Sequence, residues 1–261
     1  MFVTTRGGVM AVVMLVAASR VAAQIERHGK VMVSFEQNLN TAFKEQNDPV
    51  MGGGSSGNFT SRGKFGLFQG TVRNVSFLHA PGFCNAQVRT GIANRLDISE
   101  FATDVGGLRL VVKNAHEGPA YQGHKIAFSA IGVPHHNGGH ELEGSYKADF
   151  KLGEFSSLGK CVEIYVPFSD FSSDWSDFTG ECSTKDPNGY QHKCCPEGGV
   201  DKDPVCPSKK NLKVVDGITI WSEGVAGEFA LELYEVSAVP KARQAGKDGL
   251  ARREPMAVSC P

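Results

Sequence analysis

The chain has 261 residues, of which 41% are hydrophobic, so it can bury the core of one large β domain or two small ones. Its formal net charge of −1 excludes the strongly positive surface that nucleic-acid binding requires. The 31 glycines and 16 phenylalanines favour a turn-rich β protein over a helical one.

The first 23 residues have the pattern of a secretory signal peptide. Arg6 precedes an apolar stretch at 9–18 that is too short to span a bilayer, and small residues before Gln24 predict cleavage there. The alternative is a mitochondrial presequence, since no acid occurs before Glu26, but the uninterrupted apolar block favours secretion. We expect a secreted or luminal protein with no stable membrane insertion once the signal is removed.

Short segments of alternating apolar and polar residues fill the rest of the chain up to residue 239. The alternation is clearest at 108–113, 146–150, 162–166 and 229–233, with Gly, Pro, Asn and Asp turns between segments. No helical periodicity occurs after the signal. About nine or ten short strands predict an all-β fold, an antiparallel β-sandwich or jelly roll, over residues 24–239. The polar tail at 240–261 is predicted to be disordered.

A cysteine-rich insert at 180–208 interrupts the strand pattern. A segment so rich in Gly, Pro and Asp needs crosslinks for its order, and the spacing lacks the paired thiolates of a zinc site. We therefore predict disulfides among Cys182, Cys194, Cys195 and Cys206, with their pairing open. The total of seven cysteines leaves one thiol, for which Cys260 is the expected candidate.

Two further modification sites follow from the secretory prediction. Asn58-Phe59-Thr60 and Asn74-Val75-Ser76 match the sequon for N-glycosylation, so Asn58 and Asn74 are predicted acceptors.

Catalytic and metal-binding patterns are weak. Residues 53–57 match the nucleophile-elbow pattern formally, but they lack the required strand before and helix after the serine, and they lack the Gly-Lys-Ser/Thr ending of a phosphate loop. His135, His136 and His140 lie close enough in sequence for a metal site, although a solvated loop is the commoner explanation. Acids at 170–181 have the pattern of an exposed loop. We expect no enzyme activity, no metal and no cofactor.

Two segments have the composition of a binding surface. Trp175 lies among acids between Phe171 and Phe178, which suits either a sugar- or partner-binding edge or a cap on the end of the sandwich. The strand at 83–89 alternates small residues with Asn85, Gln87 and Arg89. If the small residues face the core, the others form a polar row able to bind a polyol, a carboxylate or a peptide strand, or simply a solvated face.

The glycine-rich segment NDPVMGGGSSGNF at 47–59 resembles the signature of the complex I intermediate-associated protein 30 family. Further segments match that family in order over residues 31–237, namely LFQGTV, GFCNAQVRT, LDISEF, GGLRLVVK, VEIYVPFSDF and GITIWSEGVAGEFALELYEV. The chain departs from the family at Phe43 and Cys161, near positions where tryptophan is usual, and in its cysteine-rich insert.

The resemblance implies a galactose-binding-like jelly-roll sandwich without catalytic residues. It also implies an assembly-factor or chaperone-like role that binds protein partners, as in the assembly of respiratory complex I. The candidate binding positions that it indicates are Asn47, Asp48, Met51, Gly52, Gly53 and Arg89.

The sequence therefore predicts a non-enzymatic binding protein. A protein partner is the first expectation, and the alternative is a secreted or luminal lectin-like module that binds glycans.

Overall fold

The computed structural model describes residues 29–48, 52–76, 79–91, 94–133, 144–153, 159–240 and 255–261. The expected signal peptide, Met51, the three closely spaced histidines and residues 241–254 lie outside these ranges. In the described part, no helix is long and apolar enough to cross a membrane.

The described residues form almost entirely β-structure. The strands are β1 Lys30–Ser34, β2 Lys44–Asn47, β3 Ser56–Ser61, β4 Gly66–Val72, β5 Asn74–Val75, β6 Ala80–Pro81, β7 Phe83–Arg89, β8 Gly107–Asn114, β9 His124–Ala130, β10 Ser145–Asp149, β11 Cys161–Pro167, β12 Val215–Glu223, β13 Gly227–Val239 and β14 Met256–Val258. The helix α1 covers Lys209–Leu212, and short 3₁₀ turns cover Ser99–Phe101 and Phe168–Asp170.

The strands form two main antiparallel sheets. The seven-stranded sheet has the order β14-β11-β8-β13-β4-β3, with β1 pairing beside β4 along the long strand β13. The five-stranded sheet has the order β10-β9-β12-β7-β2. Strands β5 and β6 form a separate small hairpin. This architecture confirms the predicted all-β antiparallel sandwich of the jelly-roll class.

The core lies between the two sheets and follows the predicted alternation. On β7, Cys84, Ala86 and Val88 are buried in the core, as the small side of that strand was expected to be. From the facing sheet, Phe68 and Leu110 are fully buried in the same cluster. Because side chains alternate along a strand, those of Phe83, Asn85, Gln87 and Arg89 are directed to the outer face.

The insert is crosslinked as predicted, and its pairing is now defined. Cys182 bonds to Cys194, and Cys195 bonds to Cys206. Such disulfides are typical of proteins that fold in an oxidising compartment, which agrees with the secretory route and not with the mitochondrial alternative.

The predicted disorder of the tail is wrong for residues 255–261. Strand β14 pairs with β11 at the edge of the seven-stranded sheet, and Cys260 bonds to Cys161. The prediction failed because a three-residue strand has almost no sequence signal, and its order depends on an existing sheet edge and a crosslink. The free thiol is therefore Cys84, which is buried, and not Cys260.

Candidate functional site

The motif loop at 47–59 is organised around the buried carboxylate of Asp48. The amide and the hydroxyl of Ser55 donate to Asp48 at 2.7 and 2.6 Å, and the Ser55 hydroxyl accepts from the amide of Arg73 at 2.9 Å. The side-chain amide of Asn47 donates to the carbonyl of Gly57 at 3.0 Å. Asn47 and Asp48 thus hold the shape of the loop through their side chains.

The glycines near Asp48 are required for different reasons. Gly52 has φ +83°, a left-handed conformation that favours glycine. A Cβ on Gly53 would lie 2.3 Å from Cγ of Asp48, and one on Gly82 would lie 1.5 Å from its Oδ2. The glycines therefore allow backbone to pack directly against a buried carboxylate.

The outer face of β7 carries the polar residues that the sequence predicts, but Asn85 is only 4% exposed, whereas Gln87 is half-buried and Arg89 is exposed. Asn85 lies opposite Trp221 of β12 on one side and Gln46 of β2 on the other. Gln87 lies opposite Lys44 of β2. The two strands beside this row differ in chemistry. Strand β12 places Trp221 next to Asn85, whereas β2 carries exposed polar side chains.

Three aromatic rings form a continuous cluster at one end of this face, which we call the aromatic platform: Phe83, Trp175 and Trp221. The ring centroids of Phe83 and Trp221 are 5.4 Å apart, and those of Trp175 and Trp221 are 6.2 Å apart. All three side chains are half-buried. Trp175 lies in the loop at 171–179 before the insert, whereas the sheet contributes the other two.

A buried lysine fixes the two tryptophans. Lys147 Nζ lies 3.6 Å from the ring centroid of Trp175 and 3.8 Å from that of Trp221, and it forms a 2.7 Å ion pair with Glu223. Burial lowers the pKa of Lys147, and the charge of Glu223 opposes that shift. The indole N–H of Trp175 donates to the carbonyl of Ser145 at 3.3 Å. Cation–π contacts on both sides of one ammonium hold the platform rigid.

The loop at 171–179 is anchored to the sheet next to the platform and is hydrogen-bonded to the insert. The backbone of Ser172 exchanges hydrogen bonds of 2.9 and 3.1 Å with Lys147 of β10. Two residues further along, Asp174 accepts from the imidazole of His192 at 2.8 Å, and Asp186 lies 2.9 Å from the other ring nitrogen. Burial alone would lower the pKa of His192, but hydrogen bonds and charges from the two carboxylates raise it.

A small cavity of about 30 Å³ lies behind the platform. Asp48 and Gly53 of the motif loop, Phe83 of the platform, and Asp177 and Phe178 of the loop before the insert contribute to its lining. The volume matches about one water molecule, so this cavity is too small for a larger ligand.

Comparisons with known proteins give fold resemblance alone. No protein-family model matches the chain, and no curated protein matches it. Among solved structures, a family 11 carbohydrate-binding module from Clostridium thermocellum in complex with a β-1,3-1,4-mixed-linked tetrasaccharide is 14% identical, with a TM-score of 0.43 over 83% of this chain and 98% of that one. The agarase AgWH50C is 12% identical, with a TM-score of 0.43 over 83% of this chain and 25% of that one. An exo-β-agarase is 12% identical, with a TM-score of 0.39 over 82% of this chain and 26% of that one.

The chain thus spans about a quarter of the agarases' own length. At these identities and TM-scores, neither a ligand nor a residue role is transferred to this chain.

The predicted site residues fall into two neighbouring groups. Trp175 lies toward β10, where its indole donates a hydrogen bond to Ser145, and Arg89 lies three strands away at the end of β7. Asp48 and Gly53 line the cavity next to Phe83. Gly52 is exposed in the motif loop. No sequence pattern indicated a role for Trp221 or Lys147, although the alternation of β12 around Ile218 and Ile220 already directs Trp221 outward.

The remaining sequence candidates have structural contacts. Phe171 is buried in the core, and Phe178 is half-buried beside the cavity. Glu181 accepts a 2.6 Å hydrogen bond from Lys125, and its pKa is raised, chiefly by burial. Within the described ranges, no cluster of three or more His, Cys, Asp or Glu side chains is arranged to hold a metal ion.

The two sequons are accessible. Asn58 is exposed on β3, and Asn74 is exposed on β5. The side-chain amide of Asn58 donates to the Thr60 hydroxyl at 3.3 Å, which links the acceptor to the sequon's third residue.

Proposed function

We propose that this protein binds carbohydrate on the outer face of its five-stranded sheet. The observation that carries the proposal is the aromatic platform beside the half-buried amide of Gln87. Flat ring faces pack against the apolar C–H faces of sugars, because both surfaces are removed from water together. Side-chain amides both donate and accept hydrogen bonds, as sugar hydroxyls require.

The rigidity of the face supports the same function. Phe83, Trp221 and the amides are on paired strands, and Trp175 is fixed by Lys147 and Ser145. A ligand that binds a preformed surface does not have to order these side chains, so less conformational entropy is lost on binding. The cavity of about 30 Å³ behind the platform is too small for a sugar, so the proposed contacts are those of the half-buried rings and Gln87.

The location is proposed with the function. A secreted or luminal lectin-like protein would lose its signal before Gln24, keep three disulfides and carry N-glycans on Asn58 and Asn74. Binding of protein partners, which the family resemblance implies, stays a prediction, as does the lack of enzyme activity.

A glycan array followed by isothermal titration calorimetry tests the proposal. The wild-type protein is expected to retain a defined set of oligosaccharides. The Trp175→Ala variant should lose about tenfold or more in affinity for them, because a stacked ring contributes on the order of 1 kcal/mol beyond its buried area. The Trp175→Phe variant should keep part of the affinity, and Gln87→Ala should weaken binding without altering the platform.

The matched control is Phe65→Ala. Phe65 is also half-buried and packs on Tyr234 with centroids 5.5 Å apart, but it belongs to the other sheet's cluster. It should leave glycan affinity unchanged. Circular dichroism melting of each variant distinguishes lost binding from lost folding. An array without retained glycans, or equal affinity of folded wild-type and Trp175→Ala proteins, would falsify the proposal.

A further inference from the structure

The outer face changes chemistry along β7 in one direction. Phe83 is at the aromatic end, Asn85 and Gln87 follow, and Arg89 is at the other end. Alternate residues on a strand are about 7 Å apart, so the row extends over about 20 Å. A row of this length suits several consecutive units of an unbranched chain that runs along the strand and contacts Phe83, Gln87 and Arg89, since Asn85 is only 4% exposed.

The far end of the row carries two cationic side chains. Arg89 has 40% of its side chain exposed, and Lys44 is exposed on the neighbouring strand. Lys44 lies directly opposite Gln87, which places it diagonally from Arg89 on the same face. Diagonal neighbours of this kind are about 7 Å apart at Cα.

Arg89 is oriented by the groups around it. Its Nε donates to Oε1 of Gln87 at 3.3 Å, and one terminal nitrogen lies 3.6 Å from the mostly buried carboxylate of Asp216. These contacts hold the guanidinium at Nε and at one terminal nitrogen, so its other N–H groups keep a fixed direction. A guanidinium fixed in this way is suited to bind an anion.

The charges elsewhere on the face are compensated. Lys125 forms ion pairs with Asp149 and Glu181, and Lys147 forms an ion pair with Glu223 beneath the platform. Lys44 forms no ion pair with any residue that the structure describes. Lys44 is therefore the cation at this end without a described ion-pair partner, whereas Arg89 shares its charge with Asp216.

We infer that the ligand is a linear anionic oligosaccharide that stacks a neutral face on the aromatic platform and places carboxylate or sulfate groups over Lys44 and Arg89. This inference rests on the proposed carbohydrate binding. Uronate carboxylates and sulfate esters share the required chemistry, because both accept charge-assisted hydrogen bonds from ammonium and guanidinium groups.

The experiment compares matched neutral and anionic glycans on one array, with calorimetry on the strongest binders. One pair is oligogalacturonate and its methyl ester, and the other is a sulfated carrageenan oligosaccharide and its desulfated form. The strongest binders are expected to be acidic, with at least about tenfold weaker binding after esterification or desulfation. The two pairs identify whether carboxylate or sulfate is the group bound.

Variants locate the acid group. Lys44→Gln and Arg89→Gln should each weaken acidic-glycan binding about three- to tenfold, and Arg89→Lys should restore part of the loss. Raising the NaCl concentration should weaken wild-type binding of acidic glycans, since exposed charges are screened. Lys64→Gln, which removes an exposed cation from the hairpin between β3 and β4, should change nothing.

The outcomes separate this inference from the proposed function. Neutral glycans as the strongest binders, with affinity that depends on Trp175 and not on Lys44, would overturn the anionic ligand and leave carbohydrate binding intact. Equal affinity of folded wild-type and Lys44→Gln proteins for an acidic glycan would also overturn it. The absence of any retained glycan would overturn both.

Discussion

Single side chains determine how closely the motif loop packs. Asp48 is 2% exposed, and its carboxylate is saturated by Ser55 while two glycines approach it directly. Gly52 has a positive φ of +83°, a left-handed conformation that glycine adopts readily. At Gly53 and Gly82 the requirement is instead the absence of a Cβ, which only the tertiary contact with Asp48 reveals.

Adding a side chain at these positions is expected to destabilise the fold. Gly53→Val and Gly82→Ala should lower the free energy of unfolding by about 1–3 kcal/mol, because the new atoms overlap the Asp48 carboxylate. Gly52→Val should do so through φ strain. Chemical denaturation measures each change.

The control for that series is Gly54→Ala. The nearest atom to a Cβ there is Cδ of Arg73 at 3.6 Å, an ordinary contact at the end of a flexible side chain. Its stability should stay within about 0.5 kcal/mol of wild type. A Gly82→Ala protein as stable as the Gly54→Ala protein would show that the Asp48 pocket relaxes without penalty.

His124 makes stability depend on acid. It is 1% exposed, and its ring stacks on Phe150 with centroids 5.5 Å apart. Burial lowers its pKa to about 4, whereas the ordinary value in an unfolded chain is about 6.5. Between these values the unfolded chain binds a proton that the folded protein does not, so the free energy of unfolding falls as pH falls, by up to about 3 kcal/mol.

Denaturation curves from pH 7 to pH 4 test this dependence. The decrease of the free energy of unfolding with falling pH should become smaller in His124→Gln. It should persist in His116→Gln, which changes a half-exposed loop residue. His192 does not contribute to the loss of stability at acid pH. Its pKa is raised, so its contribution to stability is complete below about pH 6.5 and is lost only as pH rises through its folded pKa. Identical slopes in wild type and His124→Gln would contradict the assignment.

The elements divide into those with a repeating pattern and those without one. Strands such as β7, β8 and β11 were predictable, because alternation reports burial on one face. Strand β14 was missed, since three residues give too short a pattern and its partner β11 is about 90 residues earlier in the chain. The insert was recognised by its cysteines, but its pairing and its contact with β10 depend on three-dimensional proximity.

Releasing β14 is expected to loosen one sheet edge. The double variant Cys161→Ala/Cys260→Ala removes a crosslink between residues 99 apart and should lower the free energy of unfolding by about 2–4 kcal/mol. Amide hydrogen exchange should accelerate on β11 at the residues paired with β14, Cys161 to Glu163.

The matched control is Cys182→Ala/Cys194→Ala, which removes a crosslink in the insert. It should leave exchange at Cys161 to Glu163 unchanged, because neither of its cysteines belongs to β11 or β14. Unchanged exchange at β11 in the Cys161→Ala/Cys260→Ala protein would show that β14 stays docked without its covalent link.

At the scale of the whole molecule, the loop at 171–179 and the five-stranded sheet together create the candidate site. The sheet supplies Trp221, Phe83 and Gln87, and the loop supplies Trp175. Lys147 lies between the two tryptophans, so the contact that holds the loop on the sheet also completes the platform.

The arrangement of thiols gives a test of the fold as a whole. Mass spectrometry without reduction should find Cys161–Cys260, Cys182–Cys194 and Cys195–Cys206, and one free thiol at Cys84. Burial, with the nearby charge of Asp48, raises the pKa of Cys84 to about 12. Because the thiolate is the reactive form, iodoacetamide should label Cys84 only after unfolding. Rapid labelling of the native protein, or any other pairing, would contradict the described core.

The sequence by itself determined the all-β class, the alternation that gives β7 a polar outer row, the crosslinked insert and the candidates Trp175 and Arg89. Each of these is encoded in local patterns of residue type, which act over a few neighbours in the chain. The tertiary structure alone decided that Trp175 meets Trp221 across Lys147, that Cys260 reaches Cys161, and that Asp48 is enclosed by Gly53 and Gly82. These contacts join residues that are distant in sequence. Their geometry is determined by burial between packed layers, and such burial has no local sequence signature.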